Sequence, residues 1–314
     1  MARKIPNIVK QIQNYTYPEI DYRYQSSVSF SQLGTYMSCP HKWQLQYKEN
    51  TGLFDYNIHM IFGSALHEVL QDYITKIYEE SGAAADRMDL EQLFKQRFFH
   101  HYKENKKRNN GNDFSDAAEM REFFNDGMDI INFVKKKKGS YFSRKGWYLV
   151  GVEIPILTKP NSFFQNMYFK GYLDLVLYHE PTNTFTIYDI KTSTSGWNKW
   201  KKKDDKKNFQ LILYRSYFAK QFGIPEEDIK VEFFIVKRKI NEEADYARMR
   251  QRVQIHSPIQ GSGRNKTNKA LKTLNDFISE CFSLDGKIKD TEHMKFTGKQ
   301  CEWCIFHEKN ICKK

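Results

Sequence analysis

Three runs of β-branched and aromatic residues follow one another between residues 147 and 192, and they constrain the fold more than any other feature. They are WYLVGVEIPIL (147–157), MYFKGYLDLVLYH (167–179) and TFTIYDIKT (184–192), and they predict three strands. EPTN (180–183) predicts a hairpin turn between the last two. A helix over 205–222 and a fourth strand over 229–238 follow. The pattern predicts an α/β fold with a mixed central sheet flanked by helices.

A helical region precedes these strands. FGSALHEVLQDYITKIYEE (62–80) carries apolar residues at helical spacing, and two more helices are predicted over 89–105 and 115–137. NKKRNNGND (105–113) predicts a loop between them. We interpret 82–146 as a helical insert within one domain that spans 29–314, because no repeat divides the chain.

The two ends of the chain differ from this core. Residues 1–28 are polar and predict an irregular N-terminal arm. A helix is expected between residues 29 and 49, with Ser31 as its N-cap. Residues 258–268 predict a loop and 269–283 a helix, before a short tail that is rich in cysteine.

Each of the three predicted strands between 147 and 192 carries an acidic residue. Asp189 and Lys191 lie two residues apart and therefore share a face, Asp174 lies on the preceding strand, and Glu153 lies on the strand before that. If these carboxylates converge, they form a hard oxygen site of the kind that binds Mg²⁺, with Lys191 beside a phosphate. An ordinary ion pair between Asp189 and Lys191 is the simpler alternative.

The chain of 314 residues carries a formal net charge of +12, which favours a polyanionic partner such as nucleic acid. NKWKKKDDKK (198–207) follows the strand that ends in Lys191, and Trp197 and Trp200 accompany its lysines. Aromatic side chains beside cations suit single-stranded nucleic acid, although a solvated lysine face is equally compatible. No apolar run approaches membrane-spanning length, and no signal peptide is recognisable, so we expect a cytoplasmic protein with no membrane partner.

Several motifs, in this order, resemble the RecB-type branch of the PD-(D/E)xK nuclease superfamily. That branch includes the CRISPR-adaptation (Cas4-like) exonucleases and the nuclease domains of AddAB and RecB. The matching motifs are SFSQLGTYMSCPHKWQLQY (29–47), GSALHEVL with Gly63 and His67, VEIPI with Glu153, GYLDLV with Gly171 and Asp174, YDIKTS with Asp189, Ile190 and Lys191, and QLILY with Gln210 and Tyr214.

The resemblance implies a restriction-endonuclease-like core and a catalytic Mg²⁺ or Mn²⁺ ion. Its ligands would be His67, Asp174, Asp189 and the backbone carbonyl of Ile190. Lys191 would be the catalytic lysine. The catalytic set is completed by Glu153, for which nearby acids could substitute, and by Gln210 and Tyr214, which would contact the DNA strand or brace the site.

The cysteine pattern also matches this branch. Five cysteines in a chain that we expect to be cytosolic argue against disulfides, and CEWC (301–304) with Cys312 reads C-x2-C-x7-C. The resemblance implies that Cys39, Cys301, Cys304 and Cys312 bind a [4Fe–4S] cluster within the segment 293–314; zinc is the alternative. Cys281 is predicted to be a buried thiol.

The implied function is hydrolysis of DNA, as an exonuclease acting on single-stranded or end-processed DNA. The chain has no GxxxxGK[ST] phosphate loop, so we predict a free-standing nuclease, of the sort found in phages and CRISPR loci, rather than a motor subunit. A non-catalytic DNA-binding scaffold of recombination and an RNA-directed nuclease are the alternatives. Salt-sensitive binding without cleavage would indicate the scaffold.

Overall fold

The computed structural model describes residues 4–261 and 263–312. Its strands are β1 (Ser26–Ser29), β2 (Trp147–Thr158), β3 (Met167–His179), β4 (Thr184–Ser193), β5 (Ile229–Lys237) and β6 (Val253–His256). Its helices are α1 (Asn7–Gln13), α2 (Phe30–Ser38), α3 (Pro40–Trp43), α4 (Ile58–Glu79), α5 (Gly82–Asp86), α6 (Leu90–Arg108), α7 (Ala117–Tyr141), α8 (Lys199–Lys203), α9 (Asp205–Phe222), α10 (Ala247–Arg250), α11 (Arg264–Cys281) and α12 (Ile305–Glu308).

The strands form one mixed sheet with β3 at its branching point. Along one edge β3 pairs with antiparallel β2. Along its other edge the start of β3 pairs with parallel β1 as far as Lys170, and its end pairs with antiparallel β4 from Leu175 onward. The sheet continues through β5, parallel to β4, to β6. Residues 171–174 of β3 therefore have no strand partner on this edge, and β3 and β4 separate there as a fork.

The β2–β3 ribbon also changes course at the fork. Leu173 packs into the core on one face of the sheet and Leu175 into the core on the other, although residues two apart share a face in a regular strand. On β2 the change falls at Glu153, which has a left-handed φ of 50°. Such a conformation is uncommon for a residue other than glycine and costs on the order of 1–3 kcal/mol, so the surrounding pairs must hold it.

Two hydrophobic cores lie on the two faces of the sheet. The first packs α1, α2, α9 and α11 against the sheet, and α9 is buried nearly all round. The second packs α4, α6 and α7. Helix α4 begins at an Asn57 cap that accepts a hydrogen bond from Met60 N–H, and it buries a continuous stripe from Ile58 to Ile77. Its stripe faces both the sheet and the insert, which fixes the helix over the fork.

The predicted insert over 82–146 is helical, and it packs onto α4 through Phe94, Phe98 and Phe123. Gly127 allows α7 to lie close to α6, because a methyl group at this position would overlap Cε1 and Cζ of the Phe94 ring. The structure confirms the four predicted strands and the helix over 205–222 to within one residue at each end. Helix α6 ends at Arg108, so the loop after it begins later than the sequence pattern indicated.

The prediction of an irregular N-terminal arm is wrong for part of that segment. Residues 7–13 form α1, which buries Val9 and Ile12 against the sheet, and residues 26–29 form β1. Three apolar residues, Ile8, Val9 and Ile12, in a short polar stretch were too weak a signal to indicate this helix. The arm is held in the core by its few apolar side chains.

The first predicted helix differs in its cap and its continuity. The N-cap is Ser29, whose hydroxyl accepts from Gln32 N–H, and not Ser31. The helix breaks at Cys39, which has extended backbone angles because the residue before a proline disfavours the helical region. Near the other end of the chain, α11 begins at Arg264, five residues before the predicted start, so the loop expected over 258–268 is shorter.

Candidate active site

Asp174 and Asp189 face each other where the fork opens. The last pair between β3 and β4 is Leu175 with Tyr188, and one further step of this antiparallel register brings Asp174 opposite Asp189. The β2–β3 register likewise puts Glu153 opposite Asp174. Three acids from adjacent strands thus form one row across the sheet, as the sequence predicted.

The side chain of Asp174 bridges the fork. Its Oδ2 accepts a hydrogen bond of 2.7 Å from the backbone N–H of Ile190, a donor that would otherwise pair with a neighbouring strand. Burial raises the pKa of Asp174 well above its ordinary value, and the nearby Asp189 carboxylate raises it further. The buried site therefore disfavours two negative charges side by side, a cost that a bound cation would reduce.

Lys191 lies on the carboxylate of Asp189. Its Nζ is 3.1 Å from Oδ1 and 2.8 Å from Oδ2, and the Asp189 side chain is only 3% exposed. Burial acts to lower the pKa of Lys191, but the carboxylates of Asp189 and Asp174 outweigh it and leave the pKa raised. The simpler alternative, an Asp–Lys ion pair, is present, but within a larger acidic cluster and not alone at a strand end.

His67 reaches the same cluster from α4. Its Nε2 contacts the carbonyl oxygen of Ile190, and its Nδ1 lies 3.6 Å from Asp174 Oδ2. Burial and the Lys191 ammonium lower the pKa of His67, so the imidazole stays neutral near pH 7 and keeps a lone pair for a ligand. At Gly63, one turn earlier, a methyl group would lie 3.4 Å from Thr192 Oγ1, at ordinary van der Waals distance, so α4 passes close to β4 there.

Gln71 is a site residue that the sequence analysis missed. Its Nε2 donates to Glu153 Oε1 at 2.6 Å and to the carbonyl of Asp174 at 2.9 Å, so it joins the two strands at the point where they change course. It lies four residues after His67 on the same face of α4. A polar residue four positions after His67, within an apolar stripe, was the sequence signal that could have identified Gln71.

Tyr214 and Gln210 approach from α9 on the side of Lys191. Burial raises the pKa of Tyr214 to about 12, and its hydrogen bond with Gln210 acts in the opposite direction. The ring packs on Gly171, where a methyl group would lie 2.6 Å from Tyr214 Cε1. Gly171 is therefore required for Tyr214 to reach the fork, and every residue predicted for this site lies at or beside it.

The donor set at the fork fits a hard divalent cation. It combines the carboxylates of Asp174 and Asp189, the carbonyl of Ile190 and the neutral imidazole of His67. Asp189 Oδ2 is buried and makes no hydrogen bond of good geometry. Within residues 4–261 and 263–312, no three His, Cys, Asp or Glu side chains are arranged to hold a metal as they stand. The Lys191 ammonium explains this for Asp189, because an ion could bind only if Nζ released one carboxylate oxygen.

A cleft of about 490 Å³ opens directly beside Lys191. Its lining includes Lys201, Lys206, Lys207 and Gln210, so a basic surface adjoins the acidic fork. None of the residues that line this cleft belongs to the predicted insert, 82–146. The cleft is the right shape and charge for a phosphate backbone that enters the fork.

The four cysteines that were predicted to act together do line one cavity. Cys39, Cys301, Cys304 and Cys312 surround a volume of about 200 Å³. Burial raises the pKa of the Cys312 thiol, and the other three cysteines raise it further while Lys295 opposes them. Cys281 is separate and fully buried, as predicted. No disulfide forms among the described residues.

Backbone and side-chain hydrogen bonds hold the late segment of the chain, residues 293–312, against α2 and α3. His41 N–H donates to the Met294 carbonyl at 3.2 Å, and His293 N–H donates to Gln44 Oε1 at 2.8 Å. Phe296 N–H donates to Cys39 Sγ at 3.5 Å. The cavity is thus built from two parts of the chain more than 250 residues apart.

Comparison with known proteins agrees with this arrangement. A mixed sheet that forks between two acidic strands, with a lysine two residues after the second acid, defines a class of nucleases. A sequence model of the PD-(D/E)XK nuclease superfamily matches residues 27–313, and the chain belongs to that superfamily. No curated protein matches the chain.

One solved structure extends the comparison to the whole fold. It is a protein from Eubacterium rectale named "Putative exonuclease", and it matches with a TM-score of 0.52 over 100% of this chain and 95% of its own, at 10% sequence identity. At that identity the likeness shows the shared fold. Neither comparison singles out the RecB-type branch or the iron–sulfur motif, so those finer assignments remain predictions. None of the helices that the structure describes is both long and apolar enough to cross a lipid bilayer.

Proposed function

We propose that this protein is a divalent-metal-dependent deoxyribonuclease that acts as an exonuclease on single-stranded or end-processed DNA. One observation carries the proposal: Asp174, Asp189, Lys191 and His67 converge at the fork, and a lysine-lined cleft adjoins them. Superfamily membership supports the nuclease activity. The name of the Eubacterium rectale protein supports exonuclease over endonuclease action. The compartment we propose is the cytoplasm.

The roles of the side chains follow from their positions. Asp174, Asp189, His67 and the Ile190 carbonyl would hold Mg²⁺ or Mn²⁺, which supplies an activated water and neutralises charge on the phosphate. Lys191 gives up its contact with Asp189 and donates to a non-bridging phosphate oxygen as negative charge develops there. Tyr214 and Gln210 position the DNA strand beside Lys191, and Gln71 holds Glu153 against the row of acids.

We also propose that Cys39, Cys301, Cys304 and Cys312 hold a [4Fe–4S] cluster with a structural role. A single zinc ion draws four thiolates to ~2.3 Å and leaves no space between them. The cavity of about 200 Å³ between these cysteines suits the larger group. Bound there, the cluster ties the late segment to α2. Freshly purified protein should absorb in the visible range and contain iron and sulfide; a colourless protein that contains zinc would contradict this.

The activity test uses DNA labelled at its 5′ or its 3′ end, single- or double-stranded, linear or circular, with Mg²⁺, Mn²⁺ or EDTA. We expect linear DNA to be degraded from an end only when the metal is present. Lys191→Ala and Asp189→Asn should each lower the rate by roughly 10²–10³-fold or more. Lys138→Ala is the matched control, because Lys138 pairs with Asp86 at 2.8 Å in the insert, outside the cleft lining.

Each other outcome has a definite meaning. Cutting of circular DNA would show that the protein is an endonuclease and not an exonuclease. If RNA of the same sequence were degraded as fast as DNA, the proposed preference for DNA would be wrong. Salt-sensitive binding without cleavage under any metal would exclude the enzyme and leave a DNA-binding scaffold.

A further inference from the structure

The segment between β4 and α9 is fixed at both ends but projects at its centre. At its start, the Trp197 ring packs on Phe233 with ring centres 4.8 Å apart, and the backbone N–H of Trp197 donates to Gln254 Oε1 at 2.7 Å. At its end, Asn208 Nδ2 donates to the Lys202 carbonyl at 2.8 Å. Between these anchors lies the short helix α8. Its position is therefore set by the core and not by its own contacts.

Helix α8 presents a tryptophan to solvent. Trp200 is 71% exposed, and Lys199 Nζ lies 5.1 Å from the centre of its ring. Asn198 caps the helix by accepting from Trp200 N–H at 3.0 Å and from Lys201 N–H at 2.9 Å. The sequence analysis predicted the same role for Trp197 and Trp200. The structure distinguishes them, because Trp197 is half-buried in the wall of the cleft, whereas the side chain of Trp200 is largely exposed and lies outside the cleft lining.

The surroundings of Trp200 distinguish it from an ordinary exposed aromatic residue. Single exposed apolar side chains are common and need no function. Trp200, however, lies next to Lys201, which lines the same cleft as Lys206, Lys207 and Lys191. Trp200 does not itself line the cleft, so a strand whose phosphates follow these lysines would reach the indole where it leaves the cleft beside Lys201. Its bases need a partner there, because no complementary strand stacks or pairs with them.

We propose that Trp200 stacks on an unpaired base of DNA bound in this cleft, and that α8 thereby makes the site selective for single strands. The inference rests on the proposed function for the identity of the ligand. Bases in a duplex are already stacked and paired, so they reach the indole only after unpairing, which costs free energy. A single strand offers a base without that cost. The lysines contribute equally to both substrates because they contact the backbone.

The test measures binding without cleavage. A short fluorescein-labelled oligothymidylate and a blunt hairpin duplex are titrated with protein in EDTA, and anisotropy gives both dissociation constants. Trp200→Ala should weaken single-strand binding by roughly 5- to 150-fold, the range that stacking on one base provides, and should leave hairpin binding nearly unchanged. Trp200→Phe should retain most of the affinity. Phe163→Ala is the control, because Phe163 is 77% exposed and neither it nor its neighbours in the chain line the cleft, whereas Lys201 beside Trp200 does.

Salt dependence separates stacking from charge. Trp200→Ala should weaken binding without changing the slope of affinity against salt concentration, whereas Lys206→Gln should reduce that slope by about one unit. Unchanged single-strand affinity in Trp200→Ala, an equal loss for the hairpin, or no binding of single strands by the wild type would each overturn the proposal. Loss of α8 structure would be visible as weak binding in Trp200→Phe as well. Because EDTA abolishes cleavage, Trp200-dependent binding by a protein that proves inactive would refute the proposed nuclease and not this inference.

Discussion

Asp126 on α7 couples the insert to the strand that carries Lys191, and its replacement gives the sharpest prediction of stability. Its carboxylate accepts from Arg238 Nη1 at 2.7 Å and from Lys239 Nζ at 2.9 Å. The backbone N–H groups of these two residues donate to the carbonyls of Ser193 and Thr194, each at 2.8 Å, just beyond Lys191. The side chains of Asp126 and Arg238 are only 10% and 11% exposed.

The expected magnitude follows from what remains after Asp126→Asn. Removing one partner of a buried ion pair typically costs about 3–5 kcal/mol, because the other charge stays buried. Here Glu122 Oε1 remains 2.9 Å from Arg238 Nη1 and 3.0 Å from Lys239 Nζ, and offsets part of the loss. We therefore expect the free energy of unfolding to fall by ~2–3 kcal/mol. Glu122→Gln should cost much less, since the Glu122 side chain is 50% exposed and screened by solvent.

Urea unfolding of the two variants measures both values, with the slope m expected to stay at the wild-type value. In the Arg238→Met background, Asp126→Asn should cost distinctly less than it does alone, because the buried pair is already broken. Nuclease activity should fall more in Asp126→Asn than in Glu122→Gln, since the end of β4 loses its support. Equal effects of Asp126→Asn and Glu122→Gln on stability would refute the argument from burial.

Two further predictions concern close packing and the site. Gly127→Ala should lower the free energy of unfolding by ~1–2 kcal/mol, because overlap with Phe94 outweighs the gain in helix propensity, while Gly139→Ala in the same helix has nothing within 4 Å and should raise it by up to ~1 kcal/mol. Opposite signs in thermal or urea unfolding would bear this out, and equal signs would contradict it. Gln71→Met removes the donor to Glu153, so the Mn²⁺ concentration needed for half-maximal cleavage should rise roughly 10- to 100-fold. An unchanged Mn²⁺ titration would show that Gln71 has no part in positioning the site.

The features that the sequence predicted well are those with a local signal. Asp189 and Lys191 share a face by the period of the strand, and each of the runs that form β2, β3 and β4 carries one acid of the site. The helix over 205–222 was recognisable because its apolar residues follow a helical spacing and Gly223 and Pro225 end it. His67 needed the family resemblance, since its partners on β3 and β4 lie far along the chain.

The features that the sequence did not predict depend on tertiary contacts. The left-handed conformation at Glu153 occurs at a residue type that does not indicate it, unlike glycine or asparagine. Gln71 and the neighbouring strand hold Glu153 in this conformation. Helix α1 has seven residues, of which Ile8, Val9 and Ile12 are apolar, and α8 has five residues, of which four are lysines, so both are too short to show a clear helical period. Their positions are determined by the sheet edge and by the anchors on either side.

The contact between His293 and Gln44 has a consequence for how the protein is made. The two residues are 249 positions apart, and the surroundings of α2 and α3 are incomplete until both are present. At a synthesis rate of about 5–20 residues per second, the ribosome needs about 12–50 s to cover that interval. During this time Trp43 lacks its aromatic neighbours Phe277, Phe282 and His293, so the packing around α2 and α3 is completed only when the last part of the chain has emerged.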